Sequence, residues 1–120
     1  MINIRWIFDL DGTICHTDYT HDTWDYIDSI PKQDVIEKIN KLYDIGEYII
    51  IFTARGSIIK KDWELITKKQ LDDWGVKYHE LKFGKPGGEV YVDDRTITPD
   101  EFINKFSMFV GIACQWKKQV

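Results

Sequence analysis

The chain has 120 residues, enough for one domain with one real core. Its 43% hydrophobic and 14% aromatic content is that of a folded protein and excludes a disordered one. A formal charge of −4 and a pI of about 5.3 speak against a general nucleic-acid binder, which carries a basic balance, although local basic patches are compatible with it.

Cys15 and Cys114 are the only cysteines and form no CxxC pair. A disulfide scaffold or zinc site is therefore not expected, and a reducing, cytoplasmic setting fits best. No apolar stretch is long enough to span a membrane. The first apolar run is short, contains Arg5 and leads straight into Asp9, so it reads as a strand and not as a signal peptide.

In chain order, residues 2–8 alternate, with Ile2, Ile4, Trp6 and Phe8 on one face and Ile7 filling the other. This predicts a strand buried on both sides. It ends in Asp9-Leu10-Asp11-Gly12-Thr13. Asp9 and Asp11 fall on the same side of an extended chain, and Gly12 permits a sharp turn just after them. Two carboxylates so close repel unless a cation, a shared proton or hydrogen bonds offset the repulsion. A hard divalent cation, magnesium (Mg2+), suits such an all-oxygen site. The bland alternative is an ordinary Asp-Gly turn.

Residues 14–30 show no clear period. Their His16, Asp18, His21, Asp22, Asp25 and Asp28 match no metal-ligand spacing, and the stretch reads as a flap with Trp24 and Tyr26 tucked in. Pro31 opens a predicted helix carrying Val35, Ile36, Ile39, Leu42 and Tyr43 at helical spacing, and Gly46 closes it. Tyr48–Phe52 is a continuous apolar run, expected as a parallel strand covered on both faces, and it ends in Thr53-Ala54-Arg55-Gly56.

A second helix is predicted over roughly 60–74, with Ile59, Trp63, Ile66 and Trp74 inward, and Gly75 ends it. A short strand near 77–81 leads to the glycine- and proline-rich loop 82–88. Glu89–Val92 is read as another strand, ending in Asp93-Asp94. Thr98 and Pro99 start a last helix through about Phe106, and 108–113 is read as an edge strand.

Alternating strands and helices imply an α/β fold with an open, mostly parallel sheet and helices on both faces. Ligands in such sheets sit at the carboxyl ends of strands. Three strands here end in polar residues: Asp9/Asp11, Thr53 and Asp93/Asp94. They are expected to be neighbours, with the Asp9 strand in the middle.

These pieces, in this order, resemble the haloacid dehalogenase (HAD) superfamily in its phosphatase branch: Asp9-Leu10-Asp11-Gly12-Thr13, then Thr53 after an apolar strand, then Lys85 in a loop, then Asp93-Asp94. The resemblance covers nearly the whole chain. It implies a Rossmann-like fold and phosphate monoester hydrolysis. Asp9 would be the nucleophile forming an aspartyl-phosphate, and Asp11 the general acid and base. Thr53, with nearby backbone amides, would bind phosphoryl oxygens, and Lys85 would neutralise them and hold Asp9. Magnesium would be held by Asp9, the main-chain carbonyl of Asp11 and Asp94, with Asp93 pairing with Lys85 or acting through water.

Ala54, Arg55 and Arg95 lie beside the motifs as candidates for gripping substrate anions, and both arginines have an equal structural reading. Taken singly, each motif has a bland reading: Thr53 as a helix cap, Lys85 as a solvated loop lysine, and Asp93-Asp94-Arg95 as a surface turn.

Neither 14–30 nor the stretch from Lys85 to Asp93 holds a folded cap, so residues 1–120 are expected to form a single capless domain with an open site. The run Trp74–Pro86 resembles small phosphatases associated with capsule or lipopolysaccharide sugar assembly, which implies a sugar-linked or other bulky phosphorylated substrate. Thr53-Ala54-Arg55-Gly56 and Val92-Asp93-Asp94-Arg95 also resemble the phosphatase domain of polynucleotide kinases, which implies a polynucleotide 3′-phosphatase as the alternative. A third reading is a non-enzymatic, magnesium-binding regulatory domain phosphorylated on Asp9. The substrate's identity and the oligomeric state are left open.

Overall fold

The computed structural model describes residues 4–18, 26–56 and 62–108. Within them the chain runs β1 (Arg5–Phe8), β2 (Cys15–His16), a single 3-10 turn (Tyr26–Asp28), β3 (Ile30–Pro31), α1 (Gln33–Asp44), β4 (Tyr48–Phe52), α2 (Glu64–Asp73), β5 (Glu80–Lys82) and α3 (Pro99–Asn104). β1, β4 and β5 form a parallel sheet in the order β1–β4–β5, with Phe8 opposite Ile51 and Ile51 opposite Leu81. β2 and β3 pair antiparallel as a separate ribbon. The architecture is the expected α/β one.

β4 is the central strand, and its β-branched run suits that place. Ile49, Ile50 and Ile51 are all buried, so side chains on both faces are covered. The core gathers Phe8, Leu10 and Ile14 from the first motif, Val35, Ile36, Ile39 and Leu42 from α1, Leu71 from α2 and Phe102 from α3. Phe102 meets Phe8 edge-on at 5.2 Å and Trp6 at 6.0 Å.

Both longer helices end as the sequence predicts. Past α1, Gly46 adopts φ 94°, its N–H bonds Tyr43 O, and the Glu47 N–H reaches Leu42 O. Past α2, Gly75, Asp72, Val76 and Leu71 repeat the arrangement. This double closure turns each helix sharply into the next strand. α3 begins on a capping box between Thr98 and Glu101.

Several expectations are corrected. Among the described residues β1 lies at the edge of the sheet, not between two strands. Accordingly Ile7 is 65% exposed, while Trp6 and Phe8 turn inward. Pro31 does not open a helix. It pairs with Cys15 in β3, and α1 starts at Gln33. The inner stripe of α2 is Thr67 and Leu71, continuing from Trp63, and Ile66 is only half-buried.

Residues 89–92 form no strand, and Val90 and Val92 are exposed. Their segment folds back on its own loop, with the Tyr91 hydroxyl donating to the Pro86 carbonyl, so it does not extend the sheet. Trp24, Ile59 and most of 108–113 lie outside the described residues.

The edge position of β1 has a measurable consequence. Ile7→Gln should change stability by no more than about 0.5 kcal/mol. Phe102→Ala, which opens a cavity under Phe8 and Trp6, should cost about 3 kcal/mol or more. Urea unfolding measures both, and comparable losses would contradict an exposed Ile7.

Candidate active site

The site is built where β1, β4 and β5 end. Pairing continues past the strands: the Thr53 N–H bonds Lys82 O, and the Lys85 N–H bonds Thr53 O. This short zipper holds the loop after β5 against the loop after β4 and carries Lys85 over to β1. Its ammonium lies 3.1 Å from Asp9 Oδ1. The Asp9 side chain is 34% exposed and that of Lys85 19%, so the pair stands at the mouth of the site. Burial pushes the Asp9 carboxyl above its usual range; Lys85 pulls the other way, and the Asp11 charge adds to the rise. Thr53 is buried, and its hydroxyl accepts from the Arg55 N–H at 3.1 Å.

Asp11 lies deeper. The chain turns tightly after it, with the N–H groups of Thr13, Ile14 and Cys15 converging on Leu10 O and Gly12 at φ 88°. Its carboxylate is gripped bidentately by Arg55, Nε to Oδ2 at 2.9 Å and Nη2 to Oδ1 at 2.8 Å. The Thr17 hydroxyl donates to Oδ1 at 2.6 Å. The Cys15 thiol, pushed up to about 12 by burial and then by the Asp11 charge, stays protonated and points at the same oxygen from 3.5 Å.

The Arg55 side chain is itself fully buried. Its Nη1 bonds Thr67 Oγ1 and Gln70 Oε1, and its guanidinium lies over the Tyr26 ring at 4.5 Å. Gln70 in turn donates to Tyr26 O.

Of the residues singled out by sequence, Asp9, Asp11, Thr53, Ala54, Arg55 and Lys85 sit on the loops gathered here. Of the two readings open for Arg55, substrate-gripping or structural, the geometry matches the second: its guanidinium is bonded to protein partners inside. Asp93, Asp94 and Arg95 are exposed and form a turn of their own, in which Asp93 Oδ1 accepts from the Arg95 N–H. Among the described residues no three His, Cys, Asp or Glu side chains gather so as to hold a metal ion. Asp9 carries Lys85, the Asp11 carboxylate is taken by Arg55 and Thr17, and Asp94 does not join them. Asp94 thus stands apart from Asp9, and the ligand set that the resemblance implies for magnesium is not gathered among the described residues.

Sequence reasoning missed Thr17, Ser29, Thr67, Gln70 and Tyr91. Only Thr67 carried a signal: it follows Trp63 and precedes Leu71 at intervals of four, the spacing of one helix face.

The electrostatics at the mouth can be checked directly. In metal-free protein, carbon-13 NMR should show Asp9 titrating above the ordinary aspartate value of 3.8, and Lys85→Met should raise it further. A fall on removing Lys85 would contradict the pairing.

Among the described residues no helix is long and apolar enough to cross a membrane. Comparison with curated proteins finds no match. Among solved structures, a crystal structure of a structural-genomics target from Vibrio cholerae is similar at 34% identity, with a TM-score of 0.70, covering 83% of this chain and 87% of that one. Residues 5–84 match the family described as polynucleotide kinase 3 phosphatase. That span contains the Asp9–Thr13 motif, Thr53, Arg55 and the loop up to Gly84, and on this match the chain belongs to the polynucleotide kinase 3 phosphatase family, a HAD-like family.

Proposed function

We propose that this protein hydrolyses phosphate monoesters with Asp9 as the nucleophile. The observation that carries the reading is the contrast between two carboxylates two residues apart. Asp9 is accessible and faces one ammonium, whereas Asp11 has both oxygens committed to buried donors. An Asp9 oxygen attacks phosphorus, the ester oxygen leaves with a proton, and water then releases phosphate from the aspartyl-phosphate. Lys85 offsets the repulsion between carboxylate and phosphoryl group. The Thr53 hydroxyl accepts from Arg55 N–H, which leaves its own hydrogen for a phosphoryl oxygen.

A monoanionic phosphate ester brings the proton; Asp11 relays it to the leaving oxygen and later takes one from the attacking water, for which one of its oxygens must exchange a protein donor for the substrate. Its presence favours turnover over a lasting phosphorylated switch. Arg55 acts through Asp11 and not on the substrate.

The family match supports a 3′-phosphorylated polynucleotide end as substrate. A second reading, a sugar-linked or other bulky phosphorylated metabolite of capsule or polysaccharide assembly, is favoured by the −4 charge and by exposed carboxylates at Asp62, Glu64, Asp93 and Asp94. A screen of 3′-phosphorylated oligonucleotides against sugar phosphates separates them, and turnover of oligonucleotides alone would exclude the second.

Magnesium enters as a proposal of its own, with Asp9, the Asp11 carbonyl and Asp94 as the ligands the family resemblance names. No step above runs through it. Calorimetric titration should find Mg2+ binding that is lost in Asp9→Asn and weakened in Asp94→Asn. Full activity after exhaustive chelation would remove the ion from the reading.

The two carboxylates should separate kinetically. Asp9→Asn should abolish turnover and form no phosphoenzyme. Asp11→Asn should slow alkyl phosphates about a hundred- to ten-thousand-fold. It should affect the first step with nitrophenyl phosphate far less, since that group leaves without a proton, so labelled Asp9 should accumulate on rapid quench. Equal losses for every leaving group, with no labelled Asp9, would contradict these roles.

A further inference from the structure

Lys85 sits on a long flexible stem in a loop that includes Gly84 at φ 89°, Gly87 and Gly88. A lysine in such a loop samples many rotamers, so its ammonium is held at one spot only by contacts that outweigh that freedom. One such contact is Asp9, at 3.1 Å. Another is the ring of Tyr91, whose centroid lies 4.5 Å from the same Nζ. The Tyr91 hydroxyl donates to the carbonyl of Pro86, the residue after Lys85. Tyr91 thus ties the loop down with its hydroxyl and attracts the ammonium with its ring face. The Asp9 carboxylate and the ring are two separate attractions on one cation.

We propose that Tyr91 is a positioning residue for Lys85, holding the ammonium against Asp9 so that the charge is in place before the phosphate arrives. This rests on the reading of Lys85 as the partner of Asp9 in phosphoryl transfer. The contact explains why Tyr91 is half-exposed and turned back on the loop when its sequence neighbours Val90 and Val92 are bare. Two substitutions divide its functions. Tyr91→Phe keeps the ring and loses the hydroxyl; Tyr91→Leu loses both.

Carbon-13-labelled lysine gives a readout independent of catalysis. In the wild type the ε-methylene protons of Lys85 should be shifted upfield by the ring, kept so in Tyr91→Phe, and returned to the ordinary lysine position in Tyr91→Leu. With 4-nitrophenyl phosphate as the probe, Tyr91→Leu should lower kcat about two- to fivefold with little change in KM, the scale of one exposed cation–π contact. Tyr91→Phe should retain most of it. In a Lys85→Met background, Tyr91→Leu should cost nothing more. An unshifted Lys85 resonance, or equal losses with and without the Lys85 ammonium, would overturn the proposal. If the wild type turns over no phosphate ester, the phosphatase reading fails, and the resonance alone decides whether Tyr91 holds Lys85.

Discussion

The buried ion pair between Arg55 and Asp11 is the constraint on which the site depends. Taking a guanidinium and a carboxylate out of water is expensive, and the attraction between them repays that only with good geometry and with the remaining polar atoms satisfied. Both conditions are met here. The contact is bidentate, and every nitrogen of the guanidinium has a protein partner. Its partners come from four places: Asp11 in the turn after β1, Ser29 just ahead of β3, Thr67 and Gln70 on α2, and the ring of Tyr26 in the 3-10 turn. One side chain therefore ties the loop after β4 to most of what surrounds it.

This pair also divides the labour between the two aspartates. A free pair of carboxylates two residues apart would repel and compete for any cation. With Asp11 neutralised from within, Asp9 is left at the mouth, desolvated enough for its proton to be held more tightly than usual and facing Lys85. The buried Cys15 thiol and the Thr17 hydroxyl complete the shell around Asp11 without adding charge. An accessible carboxylate at the mouth and an anchored one inside thus stand two residues apart.

The position of Lys85 depends on backbone pairing more than on its own side chain. β4 and β5 stay in register to Phe52 and Lys82, and the Thr53 bonds extend the ladder just far enough to deliver Lys85 to Asp9. Glycines on either side let the loop turn there. Among the described residues the chain beyond follows no ladder, and the Asp93–Arg95 turn is held by its own local bonds.

What the sequence determined by itself was local. The Asp9–Thr13 turn follows from a strand meeting glycine. The helix ends at Gly46 and Gly75 follow from the left-handed backbone that glycine alone adopts easily. The cap at Thr98 follows from Glu101 three residues on. Each depends on residues within one turn of each other. Tertiary structure decided what depends on distant partners. Arg55 reads equally as an anion-binding or a structural residue until α2 brings Thr67 and Gln70 to its guanidinium. Ile7 reads as buried until its strand proves to lie at the edge. Glu89–Val92 has the alternation of a strand, yet a strand needs a neighbour to pair with, and here Tyr91 is held by its own loop. Side-chain pattern specifies what a segment is able to bury, and only the packing of the whole chain specifies what there is to bury it against.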